Sequence, residues 1–114
     1  MLIFKIVAQA DWAVAESAGH FDGAGVDRTD GYIHFSTGTQ VRETASKHFA
    51  GRKDLLLIAV ESERLGAALR WEPSRGGALF PHLYRSLARS EVVGISRLPI
   101  DASGRHIFPP ELVR

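Results

Sequence analysis

The chain has 114 residues, 45% hydrophobic and 24% charged, which is ordinary globular usage and enough to bury a core without covalent staples. Fourteen basic residues against thirteen acidic ones leave a net charge of +1, which excludes a strong electrostatic case for nucleic acid or membrane surfaces. No cysteine is present, so disulfides and thiolate metal sites are excluded as well.

Length predicts one domain over residues 1–114. Met1–Ala8 has neither a positive n-region nor a long apolar h-region. No apolar run approaches the roughly 20 residues of a membrane span, so the expected location is the cytoplasm. Late in the chain stand Arg85, Arg89, Arg97, Arg105 and Arg114. They read either as solvated surface charge or as a local anion site.

In chain order, Leu2–Val7 predicts a strand that is apolar on both faces, with Lys5 as its one polar interruption. Asp11 is placed to cap the following helix, which carries Trp12 and Ala15 and stops at Gly19. His20–Arg28 reads as a glycine-rich loop. Tyr32–Ser36 predicts a short strand. Alternation puts Tyr32, His34 and Ser36 on one face, with Ile33 and Phe35 on the other. Thr37 or Thr39 is a candidate cap for a helix over Gln40–Phe49 that ends at Gly51.

Asp54–Val60 is a continuous apolar run and predicts a central strand covered on both faces. Glu61–Leu65 has room for one helical turn, and Leu69–Glu72 is a short strand that Pro73 stops. Ser74–Gly77 is a turn. Pro81 argues that Leu79–Tyr84 is an edge strand or a bulge. Val92–Leu98 is a further strand, broken by Pro99, and His106–Phe108 is a last extended piece. Two helices in the N-terminal half, followed mostly by strands, predict an α+β fold with helices on a mostly antiparallel sheet.

The chemistry concentrates in two blocks. His34 and Ser36 at i, i+2 place an imidazole and a hydroxyl side by side, ahead of a helix N-terminus whose N–H groups suit an anion. His82 and Tyr84 repeat the spacing with Phe80, Pro81 and Leu83 as apolar support. Neutral imidazoles donate, accept, or act as general acid and base near pH 7. The plainer reading is that both histidines and Tyr84 are core residues with satisfied hydrogen bonds. Trp71-Glu72 offers an indole and a carboxylate, either a polarising group or a surface strand end. Gln40 is either a ligand contact or a solvated first-turn residue.

Other signatures are missing. No HExxH, Walker A, GxGxxG or GxSxG sequence occurs, so no metal is expected. His34-Phe35-Ser36 matches one His-x-Ser/Thr element of two-histidine phosphoesterases, but His82-Leu83-Tyr84 lacks the second hydroxyl residue.

Trp12…Gly19, Gly31-Tyr32-Ile33-His34-Phe35-Ser36…Gln40, Asp54-Leu55, Trp71-Glu72 and Leu79-Phe80-Pro81-His82-Leu83-Tyr84 together resemble the bacterial family filed as domain of unknown function 952. The GxIHxS…Q and FPHxY blocks carry the resemblance, which covers nearly the whole chain. That family is more remotely similar to the ADP-ribosyltransferase-like fold, which includes the tRNA 2′-phosphotransferases. This similarity implies a split sheet cradling NAD or an ADP-ribosylated intermediate. It implies no resident cofactor, NAD being a candidate substrate. It would set the His34 strand and His82–Tyr84 beside the nicotinamide-ribose cleft. In this chain Lys5 stands where relatives often carry His, and Arg85 stands where they often carry Gly.

The candidate catalytic residues are therefore His34, His82 and Glu72, the last as polariser. Lys5, Tyr32, Ser36, Gln40, Trp71 and Tyr84 are candidate contacts to a small nucleotide-like ligand. The alternative is a non-catalytic module for a small anion or a partner protein. A third reading gives both histidines a structural role.

Overall fold

The computed structural model describes residues 1–113, with every side chain except that of Arg75. The chain runs β1 (Leu2–Ala8), α1 (Gln9–Ala18), β2 (His20–Phe21), α2 (Val26–Asp30), β3 (Ile33–His34), β4 (Ser36–Thr37), α3 (Val41–His48) and β5 (Leu55–Glu61). A 3-10 segment over Ser62–Ala68 leads to β6 (Leu69–Ser74), β7 (Ala78–Leu83), β8 (Leu87–Ala88) and β9 (Val92–Arg97). The class is α+β, with antiparallel pairing throughout.

The sheet is split. A four-stranded sheet has the order β4-β1-β5-β9, a three-stranded one β3-β7-β6, and β2 pairs with β8. β1 and β5 are the inner strands of the larger sheet, as their unbroken apolar runs require. On one face Ile3, Val7, Ile58 and Val60 pack with Trp12 and Ala15 of α1 and with Ile33 and Leu83 of the smaller sheet. On the other face Phe4, Ile6, Leu57 and Ala59 pack with Val41 and Ala45 of α3. Complete burial of a side chain of this kind stabilises by roughly 1.5–3 kcal/mol, so β1 and β5 anchor both layers.

One segment belongs to both sheets. β3 pairs with β7 (Ile33 opposite Leu83, His34 opposite His82), while β4 pairs with β1 (Phe4 opposite Ser36). Between them, Phe35 N–H donates to the carbonyl of Pro81 at 2.9 Å, and the Phe35 ring is buried. The predicted single strand over Tyr32–Ser36 is thus two short strands that change partner at Phe35.

This exchange explains a misplaced proline. Pro81 lies in β7, the middle strand of its sheet, not at an edge or bulge. A proline cannot donate to the ladder, but the neighbour on that side ends at His34, so the missing N–H falls where β3 gives way to β4. Pro73 does not stop β6, which continues to Ser74 and pairs Pro73 with Leu79. As an edge strand, β6 has a free side on which proline is tolerated.

Other local expectations are also corrected. His20–Arg28 holds a strand and the start of α2, a helix too short to show periodicity. Ala8, not Asp11, is the N-cap of α1, and Asp11 lies in its first turn. Gly19 closes that helix as expected. Neither Thr37 nor Thr39 caps α3: their hydroxyls bond each other at 3.1 Å, and Gln40 occupies the cap position. The helix ends at His48, ahead of Gly51. Glu61 belongs to β5, and the helical turn after it is 3-10. Of His106–Phe108 only an Ile100–His106 bridge is extended pairing. The arginines do not form one cluster: Arg85 pairs with Glu91, and Arg89 with Glu16. Arg114 lies outside the described residues.

Candidate functional site

The polar centre begins with Lys5. A lysine inside an apolar strand needs a counter-charge, and Asp27 of α2 supplies it. Lys5 Nζ lies 2.9 Å from Asp27 Oδ1 and 2.8 Å from Oδ2. The backbone N–H groups of Ala24 and His34 also donate to this carboxylate, each at 3.0 Å, and His34 Nδ1 lies 2.7 Å from Oδ1. Burial pushes the Asp27 carboxyl up. The bond from His34 and the charge of Lys5 outweigh this and bring it down to about 2. Burial lowers the Lys5 ammonium more than Asp27 raises it. Gly23 makes the arrangement possible. Its φ is +106°, and a Cβ there would lie 2.8 Å from Asp27 Cβ, closer than van der Waals contact allows.

The second half is built on the smaller sheet. His82 Nδ1 lies 2.8 Å from Glu72 Oε1, and the Tyr84 hydroxyl donates to the same oxygen at 2.7 Å. These bonds, Tyr84's first, lower the Glu72 carboxyl, while the same carboxylate raises the Tyr84 phenol. Arg70 lies over the Tyr84 ring at 4.8 Å. A carboxylate only accepts, so Nδ1 of His82 carries hydrogen and the neutral ring presents its lone pair at Nε2.

Register joins the halves. His34 and His82 are cross-strand partners with ring centroids 5.2 Å apart. Tyr32 lies against both, stacked on His82 at 4.3 Å and tilted to His34 at 4.6 Å, and reaches Tyr84 at 5.0 Å. His34 Nε2 also lies 3.0 Å from Asp30 Oδ2. With a carboxylate at each nitrogen, both contacts are hydrogen bonds at once only when both nitrogens carry hydrogen.

Of these groups Lys5, His34 and His82 line a cavity of about 280 Å³, together with Ser36 and aromatic walls that include Phe35 and Phe80, whereas Tyr32, Glu72 and Tyr84 stand outside its lining. Thr44 and His48 of α3 also line it. The face bearing His34 and His82 therefore looks across the edge of the larger sheet toward α3.

Three sequence candidates occupy other roles. Ser36 lines the cavity, but its hydroxyl is bonded to Thr44 Oγ1 at 2.9 Å. Gln40 is a clamp: its Oε1 accepts from Thr37 N–H at 3.0 Å and its Nε2 donates to Leu79 O at 2.8 Å, tying the β4–α3 turn to β7. Trp71 is paired with Pro81 and, by strand alternation, points to the face opposite Glu72, where it borders a separate hollow with Leu69. Sequence reasoning missed Asp27, Asp30, Arg70, Thr44 and His48. Lys5 was the available clue to Asp27, since a buried ammonium demands a carboxylate without saying which. Among the described residues no cluster of three or more His, Asp or Glu side chains could hold a metal ion. No described helix is long and apolar enough to cross a membrane.

Protein CC0527 from Caulobacter crescentus is similar in sequence and structure. Its crystal structure matches at 50% identity and a TM-score of 0.93, covering 98% of each chain. Its solution structure matches at 53% identity and a TM-score of 0.83, covering 91% of this chain and 90% of that one. No curated protein matches. The model of a protein of unknown function, DUF952, matches residues 6–95. With most of the chain inside that match, and with both the GxIHxS and FPHxY blocks within it, this protein belongs to the DUF952 family.

Proposed function

We propose that the cavity is the active site of a small transferase or hydrolase acting on a nucleotide-like ligand, with NAD, ADP-ribose or a phosphorylated ribose as candidate substrates. The observation that carries this reading is the facing pair of imidazoles, each with Nδ1 on its own carboxylate. His82, held by Glu72, is set to accept a proton at Nε2 from an attacking hydroxyl. His34, its Nδ1 fixed on Asp27, is set as the donor when its Nε2 exchanges the exposed Asp30 for the departing group. Ser36 faces the ligand at the cavity wall with its hydroxyl shared with Thr44, while Tyr32 stacks on His82 and Tyr84 holds Glu72 from outside the lining. Such positioned acid–base catalysis contributes typically 10²–10⁴-fold.

Calorimetry with NAD, ADP-ribose and a 2′-phosphorylated nucleotide, followed by product analysis, tests it. The expected result is binding at millimolar concentration or better, with turnover that falls at least roughly 100-fold in kcat on His82→Ala. No binding to any of the three removes the proposal.

A non-catalytic binding module is the second reading. It is favoured by how far the polar groups are spent on one another: among the described residues no buried side-chain nitrogen or oxygen lacks a partner. It predicts saturable binding with no product, and a His82→Ala variant that binds as the parent does.

A further inference from the structure

The cavity has an electrostatic asymmetry that selects which part of a ligand enters it. Of the described side chains that line it, Lys5 is the sole fixed cation, and both oxygens of Asp27 are already within 2.9 Å of its Nζ. Positive charge gained by either facing histidine is matched in the same way, on Asp27 and Asp30 for His34 and on Glu72 for His82. His48 stands at the exposed rim. Around the two histidines the carboxylates of Asp27, Asp30 and Glu72 outnumber the fixed cations Lys5 and Arg70. A buried anion needs a counter-charge or a set of donors free to receive it, and this wall has committed its one fixed cation to Asp27. The remaining lining is the hydroxyls of Ser36 and Thr44, which bond each other, the Ser74 hydroxyl, and apolar side chains that include Phe4, Ile6, Phe35, Phe49 and Phe80. The volume, about 280 Å³, lies at the lower end of ligand pockets. It suits one ring and excludes a whole dinucleotide.

From this we infer that the cavity takes an uncharged planar ring, of nucleobase or phenol size, and that any phosphate on the ligand stays outside the mouth. The inference rests on reading this cavity as the ligand site. It departs from a phosphate-binding role for the His34–Ser36 wall. The ring lies between aromatic walls, with ring–ring contact as the attraction and Nε2 of His82 as the hydrogen-bond partner at one edge.

The test is an amide-shift titration of the whole chain with adenine, phenol, inorganic phosphate and pyrophosphate. Adenine or phenol is expected to shift the signals of Ser36, Phe80 and His82, with an affinity at least about tenfold above that of either anion. That affinity should change little between about 0.05 and about 0.5 M salt, because no exposed ion pair forms. Phe80→Ala is expected to weaken ring binding about tenfold, the loss of one aromatic wall. Asp27→Asn frees the charge of Lys5, so phosphate binding is expected to appear in that variant alone. Phosphate or pyrophosphate binding at these residues in the parent chain, as tightly as the rings, overturns the inference. Rings that shift no cavity residue overturn it too. The wider substrate proposal is judged separately, by NAD and ADP-ribose: their binding with turnover, in a cavity that prefers phosphate, would sink the ring assignment alone.

Discussion

The two carboxylate–imidazole pairs of the site are built with opposite burial. In the Asp27–His34 pair the carboxylate is sealed, with 1% of its side chain exposed, while the imidazole is 25% exposed. In the Glu72–His82 pair the imidazole is sealed at 3% and the carboxylate is 33% exposed. The same hydrogen bond, 2.7 Å in one and 2.8 Å in the other, therefore rests on different physics. A sealed carboxylate must be matched inside the protein, which explains Lys5, the two backbone donors and the glycine that lets the chain approach. A carboxylate at the surface is matched largely by water, so Glu72 needs only the local bonds from His82 and Tyr84. The first pair holds the fold together, and the second orients a ring.

The largest expected break in that comparison is Asp27→Ala. It strands the Lys5 ammonium and two backbone N–H groups, and loss of one partner from a buried ion pair costs about 3–5 kcal/mol. Urea denaturation measures it. A double variant, Lys5→Met with Asp27→Leu, is expected to recover part of the loss. A cost below about 1 kcal/mol for Asp27→Ala would mean that the pair is not structural.

Acid sharpens the contrast with a smaller effect. The folded-state pKa of Asp27 is depressed, from 3.8 to about 2. Its contribution is complete above the unfolded value and disappears as pH falls through the folded one, because the unfolded chain takes the proton first. The shift corresponds to about 2 kcal/mol. Unfolding free energy is expected to decline from about pH 5 down to about pH 2, with that component missing in Asp27→Asn. Acid limbs of equal steepness in parent and variant would contradict the assignment.

The smallest effect belongs to Glu72→Gln. A half-buried group that keeps its acceptor oxygen is expected to leave the denaturation midpoint unchanged. Tyr84 should nonetheless ionise at lower pH once the neighbouring charge is gone, and a spectroscopic titration of the tyrosines reads this. A stability loss comparable to that of Asp27→Ala would erase the distinction between the two pairs.

How much of this could be read beforehand depended on how local each cause was. Leu55–Val60 announced an inner strand because burial on both faces demands an apolar residue at every position. The pairing of His34 with His82 was approachable because both blocks carried the same i, i+2 alternation. Asp27 was hidden: it sits in a five-residue helix, and only the distant Lys5 makes its burial sensible. Pro81 misled because the local rule about proline was satisfied by a tertiary event, the departure of β3. Trp71 and Glu72 were read as a unit although strand neighbours point to opposite faces, and that error needed no structure to correct. Gln40 looked like a ligand contact because sequence cannot show that both ends of its amide are already engaged.

The segment shared by the two sheets has a mechanical consequence. A cleft between separate sheets could open by letting each move as a body about a hinge. Here the join is Phe35, whose N–H is bound to Pro81 O and whose ring is buried in the core, and Gln40 adds a second tie between the β4–α3 turn and β7. Neither can absorb a change in backbone angle without breaking a contact. The walls bearing His34 and His82 are therefore held at a fixed spacing before any ligand arrives. A ligand of the proposed site would meet a standing shape, since the ordering of these walls is complete when the chain has folded.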